Sequence, residues 1–356
     1  MTELQMALRQ AGLSYAAVAR ELGISKPAVV EIALRGRWPR KREEELREQL
    51  AGVLADRGVK HIATRLSGSD EQQEEGMQRV SLSTAARRQF GLLADPWDVR
   101  GPDDVYLAGD WRFAAECLAT TAETGGMMAL IGESGSGKST LRRYVVDRLK
   151  REDRPVKVIE PQTIDRGRLT AGAICDAIIE DVSLERPRRA LESKARQVRR
   201  VLTESARSGA SHVLMLEEGH DLAIPTLKYL KRFWELEDGF TKLLGIVVLA
   251  QPEMRSILDE SRSYEAREVI RRIEVIELGP LDPPGDLEGF LAARIGGGAF
   301  ADEAYGAIRA RLSRRTRGGT VSLAYPLTVA NVVTRALNLA AEMGQQRIDA
   351  HTIAQA

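Results

Sequence analysis

The spacing of apolar and polar positions changes character along the chain. From the start to about residue 58, Leu4, Leu8, Tyr15, Val18, Ala19, Leu22, Ile24, Val29, Ile32 and Leu34 recur near helical spacing, punctuated by Gly12, Gly23 and Gly36. That period predicts a compact all-helical unit. Residues 66–79 then carry the polar, acidic run GSDEQQEEGMQ without apolar periodicity, which predicts a linker. Order resumes at Leu82, where short continuous apolar runs begin to alternate with amphipathic ones. The runs at Met127–Ile131, Val156–Glu160, His212–Leu216 and Lys242–Ala250 predict buried strands, while Leu141–Leu149 and Leu169–Val182 predict helices. Arg267, Arg271 and Arg272 are placed on a helix that leads into a further strand of alternating pattern. From Asp286 onward the pattern reads as helices, with a break at Gly296 and a basic loop at Arg311, Arg314, Arg315 and Arg317.

One junction in this α/β region carries chemistry. The stretch 127–141, MMALIGESGSGKSTL, passes from an apolar strand through a glycine-rich loop into a helix and matches G-x-x-x-x-G-K-S in full. Gly132, Gly135 and Gly137 let the backbone turn so that successive N–H groups converge on a phosphate. Lys138 then reaches the β/γ-phosphates, Ser139 offers a hydroxyl to Mg²⁺, and the start of the helix adds its positive dipole end. Glu133, Ser134, Ser136 and Thr140 complete the candidate nucleotide-binding loop.

A second signal follows in 212–221, HVLMLEEGHD, an apolar strand that delivers Glu217 and Glu218 at its C-terminal end. Ligands of open α/β sheets bind at such ends. Glu217 is placed to hold the Mg²⁺ shell, together with Ser139, and Glu218 to orient or deprotonate an attacking water. The first acidic position is ordinarily Asp; Glu217 is one methylene longer, which predicts looser metal placement and slow turnover. Gln251 ends the next apolar strand, where its amide reaches a γ-phosphate or the attacking water.

Charge and composition bound the partners. The chain has 356 residues, enough for two or three domains, and a net charge of +1 although 29% of residues are charged. Nucleic-acid binding therefore has to come from local basic patches rather than from a global field. Cys117 and Cys175 stand far apart without metal-ligand neighbours, which fits a reducing cytoplasm and predicts neither zinc nor disulfide. No stretch approaches the length of a membrane span, so a soluble intracellular protein without membrane contact is expected.

Two basic clusters are the candidates for double-stranded DNA. Residues 14–36 resemble the helix-turn-helix of phage repressor-like domains, with Ala19 at the helix crossing, Gly23 in the turn, Ser25 as N-cap and Pro27 in the first turn of the second helix. By that resemblance Lys26, Ala28, Val29 and Glu31 face a groove, and Arg35, Arg37, Arg40, Lys41 and Arg42 hold phosphates. The second cluster, 185–202, carries Arg186, Arg188, Arg189, Lys194, Arg196, Arg199 and Arg200; the alternative for it is a solvated helix face.

Taken together, the loop, the Glu217-Glu218 strand, the Gln251 strand, Arg271-Arg272 and the helical tail resemble AAA+ ATPases over about residues 85–356. Within them the chain is similar to phage Mu B-type transposition ATPases, and the segments 90–97 and 250–254 resemble secretion-type ExeA ATPases. The resemblance implies an α/β fold, namely a P-loop domain with a parallel sheet and a helical lid, behind an N-terminal helix-turn-helix domain. The implied division is 1–60 for that domain, 61–82 for the acidic linker, 83–280 for the nucleotide-binding domain and 281–356 for the lid. It implies a slow, DNA-stimulated ATPase of the bacterial cytoplasm that uses ATP and Mg²⁺, assembles as a filament or ring on target DNA and delivers it to a transposase. It also makes Gln251 the γ-phosphate sensor and Arg272 the arginine finger, with Arg267 and Arg271 as substitutes. Leu327 stands where related ATPases often carry a second-sensor arginine, for which Arg335 is the replacement. The alternatives are a DNA-binding regulator that uses ATP as an assembly switch and a secretion-type ATPase.

Overall fold

The computed structural model describes residues 3–35, 38, 42–57, 79–161, 169–261, 263–316 and 319–356. They form two compact units, Met1–Arg79 and Val80–Ala356.

In the first unit, helices α1 (Glu3–Gln10), α2 (Tyr15–Glu21), α3 (Lys26–Arg35) and α4 (Glu43–Asp56) enclose a core of Leu8, Val18, Leu22, Val29, Leu46, Leu50 and Leu54. Fully burying each such side chain contributes about 1.5–3 kcal/mol relative to exposure. Ser14 caps α2 by accepting from Ala17 N at 3.2 Å, and Ser25 caps α3 by accepting from Ala28 N at 3.4 Å. Gly23 takes the left-handed turn between them at φ 61°. One residue of the expected groove face is misplaced: Val29 is 2% exposed and belongs to the core, because α3 turns that side toward α2. Lys26 is exposed, whereas Arg37, Arg40 and Lys41 and the side chain of Arg35 lie outside the described residues.

The second unit opens with α5 (Thr84–Gln89) and α6 (Gly109–Thr124), followed by β1 (Met127–Gly132), α7 (Lys138–Arg151), β2 (Val156–Ile159), α8 (Ala171–Val182), α9 (Leu191–Arg207) and β3 (Ser211–Leu216). Next come α10 (Ile224–Trp234), a hairpin of β4 (Glu237–Asp238) and β5 (Thr241–Lys242), β6 (Gly245–Ala250), α11 (Met254–Ile257), α12 (Arg267–Ile270) and β7 (Glu274–Leu278). The last part holds α13 (Asp286–Arg294), α14 (Asp302–Arg311), a hairpin of β8 (Ser313–Thr316) and β9 (Gly319–Ser322), α15 (Pro326–Glu342) and α16 (Ala350–Gln355).

The main sheet runs β2-β3-β6-β1-β7 with every neighbouring pair parallel. Both faces are covered, which is why its central strands are unbroken apolar runs. Met128, Leu130, Val213, Met215, Val247 and Leu249 face one core, shared with α6, α7 and the C-terminal helices, while Ala129, Ile131, Leu214, Leu216, Ile246 and Val248 face the other, shared with α8, α9 and α10. The order places β6 between β1 and β3, so Gln251 leaves the sheet between the glycine loop and the Glu217-Glu218 pair.

Several elements differ from the sequence reading. The strand expected from Lys242 starts at Gly245, because Lys242 pairs with Glu237 in the preceding hairpin. Arg188 and Arg189 precede α9, which starts at Leu191 after Pro187 and the following residues form an irregular segment. Arg271 and Arg272 lie just past the four-residue helix α12. The basic loop is partly a hairpin, with Arg314 and Arg315 on β8 and Arg311 ending α14. The segment that precedes α6 packs on the C-terminal helices. Trp97 stacks on Phe290 at 5.9 Å and donates Nε1–H to Thr334 Oγ1 at 2.7 Å, while the backbone N–H groups of Val80 and Ser83 donate to Asn331 and Asn338 of α15.

Candidate nucleotide site

The fully buried strand β1 aims the chain into the loop, and α7 takes it away again at Lys138. Gly135 and Gly137 hold left-handed φ of 75° and 95°. At Gly135 the requirement is double, since a Cβ there would meet Leu327 Cβ at 2.5 Å. The Lys138 ammonium donates to the carbonyls of Gly132 at 2.6 Å and Glu133 at 2.9 Å, folding back over the loop. Burial lowers the pKa of Lys138, opposed by the negative charges of Glu218, Glu133 and Glu253. Burial likewise raises that of Glu133, helped by Glu253 and opposed by Lys138 and Arg255. Ser136 is 0% exposed and its Oγ has no hydrogen-bond partner among the described residues. A buried donor without a partner costs about 1–3 kcal/mol. An anion in the loop would satisfy it, so the residues present fit a polyphosphate. Ser139 stands at the start of α7 and is exposed.

At the end of β3, Glu217 lies 3.1 Å from Nε of Arg142, which also bridges to Glu160 at the end of β2. Arg142 sits one helical turn beyond Lys138, on the same face of α7. Glu218 adopts φ 53°, ψ 43°, a left-handed conformation in a residue with a side chain. Such strain, about 1–3 kcal/mol, collects at functional sites. His220 follows, with Nε2 3.6 Å from Glu218 Oε2 and Nδ1 accepting from Gln251 N at 3.4 Å. Sequence reasoning gives neither Arg142 nor His220 a role, since both depend on contacts across strand ends.

The fold therefore brings together the loop 132–140, Glu217, Glu218 and Gln251. It does not add the arginine candidates within the chain. Arg272 bonds Glu235 at 2.9 Å and lies over Trp234, whose indole also lies 3.8 Å from Lys242 Nζ. Arg271 pairs with Glu260 at 3.0 Å, and Arg267 lies over Tyr264 and 3.4 Å from the same Glu260. Leu327 sits at the loop as a backbone donor, while Arg335 is exposed on α15. In the second basic cluster Arg188, Arg189, Arg196 and Arg199 are exposed, but Arg200 is held by Glu185 at 2.6 Å and Glu204 at 3.0 Å.

The chain is similar to known proteins over this region. Residues 121–258 match the AAA domain family. That span runs from the end of α6 through β6 to α11 and contains the loop, both carboxylates and Gln251. A relative, General secretion pathway protein A of Aeromonas hydrophila, is 28% identical over 188 residues, covering 52% of this chain and 32% of that protein. The chain thus spans about a third of that relative's length. Among solved structures, Cdc6p from Pyrobaculum aerophilum is 14% identical with a TM-score of 0.46, covering 74% of this chain and 68% of that one. A Drosophila ORC chain, from a structure bound to DNA, is 15% identical with a TM-score of 0.48, covering 81% and 72%. No described helix is long and apolar enough to cross a membrane.

Proposed function

We propose that this AAA+ protein hydrolyses ATP to control its own assembly, as a filament or ring, on double-stranded DNA, which it delivers to a transposase. The observation that carries the ATPase part is the convergence of loop 132–140, Glu217, Glu218 and Gln251 at neighbouring parallel strand ends. The DNA part is supported by the capped helix pair α2–α3 and by the exposed Arg188, Arg189, Arg196 and Arg199. Delivery to a transposase rests on the resemblance to Mu B-type ATPases alone.

In this reading the loop N–H groups and Lys138 hold the phosphates, and Lys138 exchanges its two carbonyl partners for them. Ser139 and Glu217 hold Mg²⁺, and Thr140 completes the loop's contacts. Glu218 takes the proton of the attacking water while Gln251 orients it. Bound ATP and Mg²⁺ supply the scissile anhydride and the charge neutralisation. Arg272 acts on a neighbouring subunit after leaving Glu235. Residues 1–60 serve as a helix-turn-helix domain, 61–82 as a linker and 281–356 as the lid.

The test is ATP turnover with and without nonspecific duplex DNA. DNA should raise the rate; Lys138→Ala should abolish nucleotide-dependent DNA binding, and Glu218→Gln should bind ATP and DNA but stall hydrolysis. Equal loss of nucleotide binding in both variants would refute the division of roles. The named relative favours a second reading, a secretion-associated ATPase, and turnover indifferent to DNA would support that one instead.

A further inference from the structure

The turn after β3 is fastened to β6 at two points. Gly219 is buried against Val248, where any Cβ would collide with the valine's Cγ1. One residue on, the His220 ring meets the backbone N–H of Gln251, which donates to Nδ1 at 3.4 Å. An amide N–H can only donate, so Nδ1 presents its lone pair and the neutral ring carries its proton on Nε2. That Nε2–H lies 3.6 Å from Glu218 Oε2, with the imidazole only 17% exposed and the carboxylate 42%. The separation exceeds a formed hydrogen bond, yet contacts of catalytic groups are commonly long before substrate arrives and shorten afterwards. The Glu218 backbone immediately before these anchors is held at φ 53°, a conformation disfavoured for a residue with a side chain.

We infer that His220 is a positioning residue for the hydrolysis reaction, its ring tying the backbone of Gln251 to the carboxylate of Glu218. A shift of Gln251 then moves the ring and, through Nε2–H, the carboxylate. No helix or strand need move for this coupling, since the Gln251 N–H and the Glu218 carboxylate face the two nitrogens of a single rigid ring. Packing alone would need neither a lone pair at Nδ1 nor a donor at Nε2. The inference rests on the ATPase reading above.

The experiment compares His220→Ala, His220→Gln and His220→Asn by steady-state ATP hydrolysis, with equilibrium binding of a fluorescent ATP analogue measured alongside. Glutamine places an amide donor where the ring has Nε2, whereas asparagine reaches only the Nδ1 position. His220→Ala should lower kcat by about tenfold or more while KM and analogue affinity stay within about twofold, the signature of lost orientation rather than lost binding. His220→Gln should recover most of kcat and His220→Asn little of it. In a Glu218→Gln background, His220→Ala should have no further effect on the residual rate, because the group it positions is gone. Equal rates in all three variants, a parallel rise in KM, or additivity with Glu218→Gln would overturn the inference while leaving the ATPase reading intact. Absence of turnover in the unmodified protein would overturn the ATPase reading itself, and this inference with it.

Discussion

The backbone N–H of Leu327, in the first turn of α15, donates to the carbonyl of Gly135 at 3.2 Å. Helix α15 is thus seated directly on the glycine-rich loop. The Leu327 side chain occupies the space beside Gly135, whose φ of 75° already disfavours any residue with a Cβ. Loop geometry and the position of α15 are therefore one constraint.

Gly135→Ala should show this. The left-handed conformation costs an alanine about 1–3 kcal/mol, and the contact with Leu327 adds to it. The loop escapes the strain by moving, so nucleotide affinity should fall about tenfold for each 1.4 kcal/mol relieved in that way. Calorimetric titration with ATP and a thermal melt measure the two effects. Wild-type affinity and melting temperature in this variant would mean that the loop and α15 are not coupled as described.

If Glu217 holds Mg²⁺ as proposed, Arg142 sets up a competition for that carboxylate. Its Nε lies 3.1 Å from Glu217, with side chains 18% and 33% exposed, so the pair is partly screened and worth about 0–1 kcal/mol. A Mg²⁺ held by Glu217 and Ser139 has to displace that attraction. Neutralising the arginine as Arg142→Gln should lower the Mg²⁺ concentration for half-maximal turnover by up to about fivefold, the equivalent of 1 kcal/mol. A Mg²⁺ titration of the ATPase rate decides it, and an unchanged or higher requirement would remove the competition.

Much of the site is legible in the sequence because its parts are local. The loop 132–140, the carboxylate pair and Gln251 each follow an unbroken apolar strand, and a parallel sheet needs such strands. The parts that are not legible arise between residues distant in sequence. Arg142 meeting Glu217, and His220 meeting Gln251, require the strand order as well as the motifs. The hairpin Glu237–Lys242 leaves no trace because two-residue strands have no period to detect. Asn331 and Asn338 sit on the apolar helix α15, and nothing local tells that Val80 and Ser83 would use them. Val29 falls on the groove side because a helix-turn-helix pattern assigns faces by position, whereas burial against α2 decides this one.

His212 predicts an acid-side loss of stability. It is 2% exposed on β3, its Nδ1 donates to Leu243 O at 3.0 Å, and its Nε2 is buried without a hydrogen-bond partner among the described residues. Burial pushes its pKa below the ordinary 6.5, opposed by the Leu243 contact and reinforced by the nearby Lys157 charge. Below pH 6.5 the unfolded chain binds this proton and the folded chain resists it. The contribution of neutral His212 is thus complete above 6.5 and declines as pH falls toward the depressed folded value. Urea unfolding across this range should give stability falling with acid, and His212→Gln should flatten that slope. An identical slope in the variant would assign the acid sensitivity to other groups.

The basic helix α9 separates the DNA reading from a solvated helix face. Arg196 and Arg199 project from the side opposite the buried Gln197, Val198, Val201 and Leu202, whereas Arg200 is engaged by Glu185 and Glu204. An arginine already bridged to two carboxylates has to give them up to meet a phosphate, so it contributes less than an exposed one. If α9 lines the DNA path, replacing Arg196 and Arg199 by alanine should weaken binding to all sequences alike. The dependence of log K on log salt should flatten by roughly one unit for each phosphate that the variant no longer neutralises. Arg200→Ala should change both by less. Removing residues 1–79, the whole first unit, should weaken binding yet leave it ATP-dependent, because the second unit keeps its own hold on the phosphates. Filter binding across a salt series tests all three variants. An unchanged salt slope in the Arg196/Arg199 variant, with DNA binding abolished by deletion of residues 1–79, would confine DNA recognition to the N-terminal helices and leave α9 a solvated face.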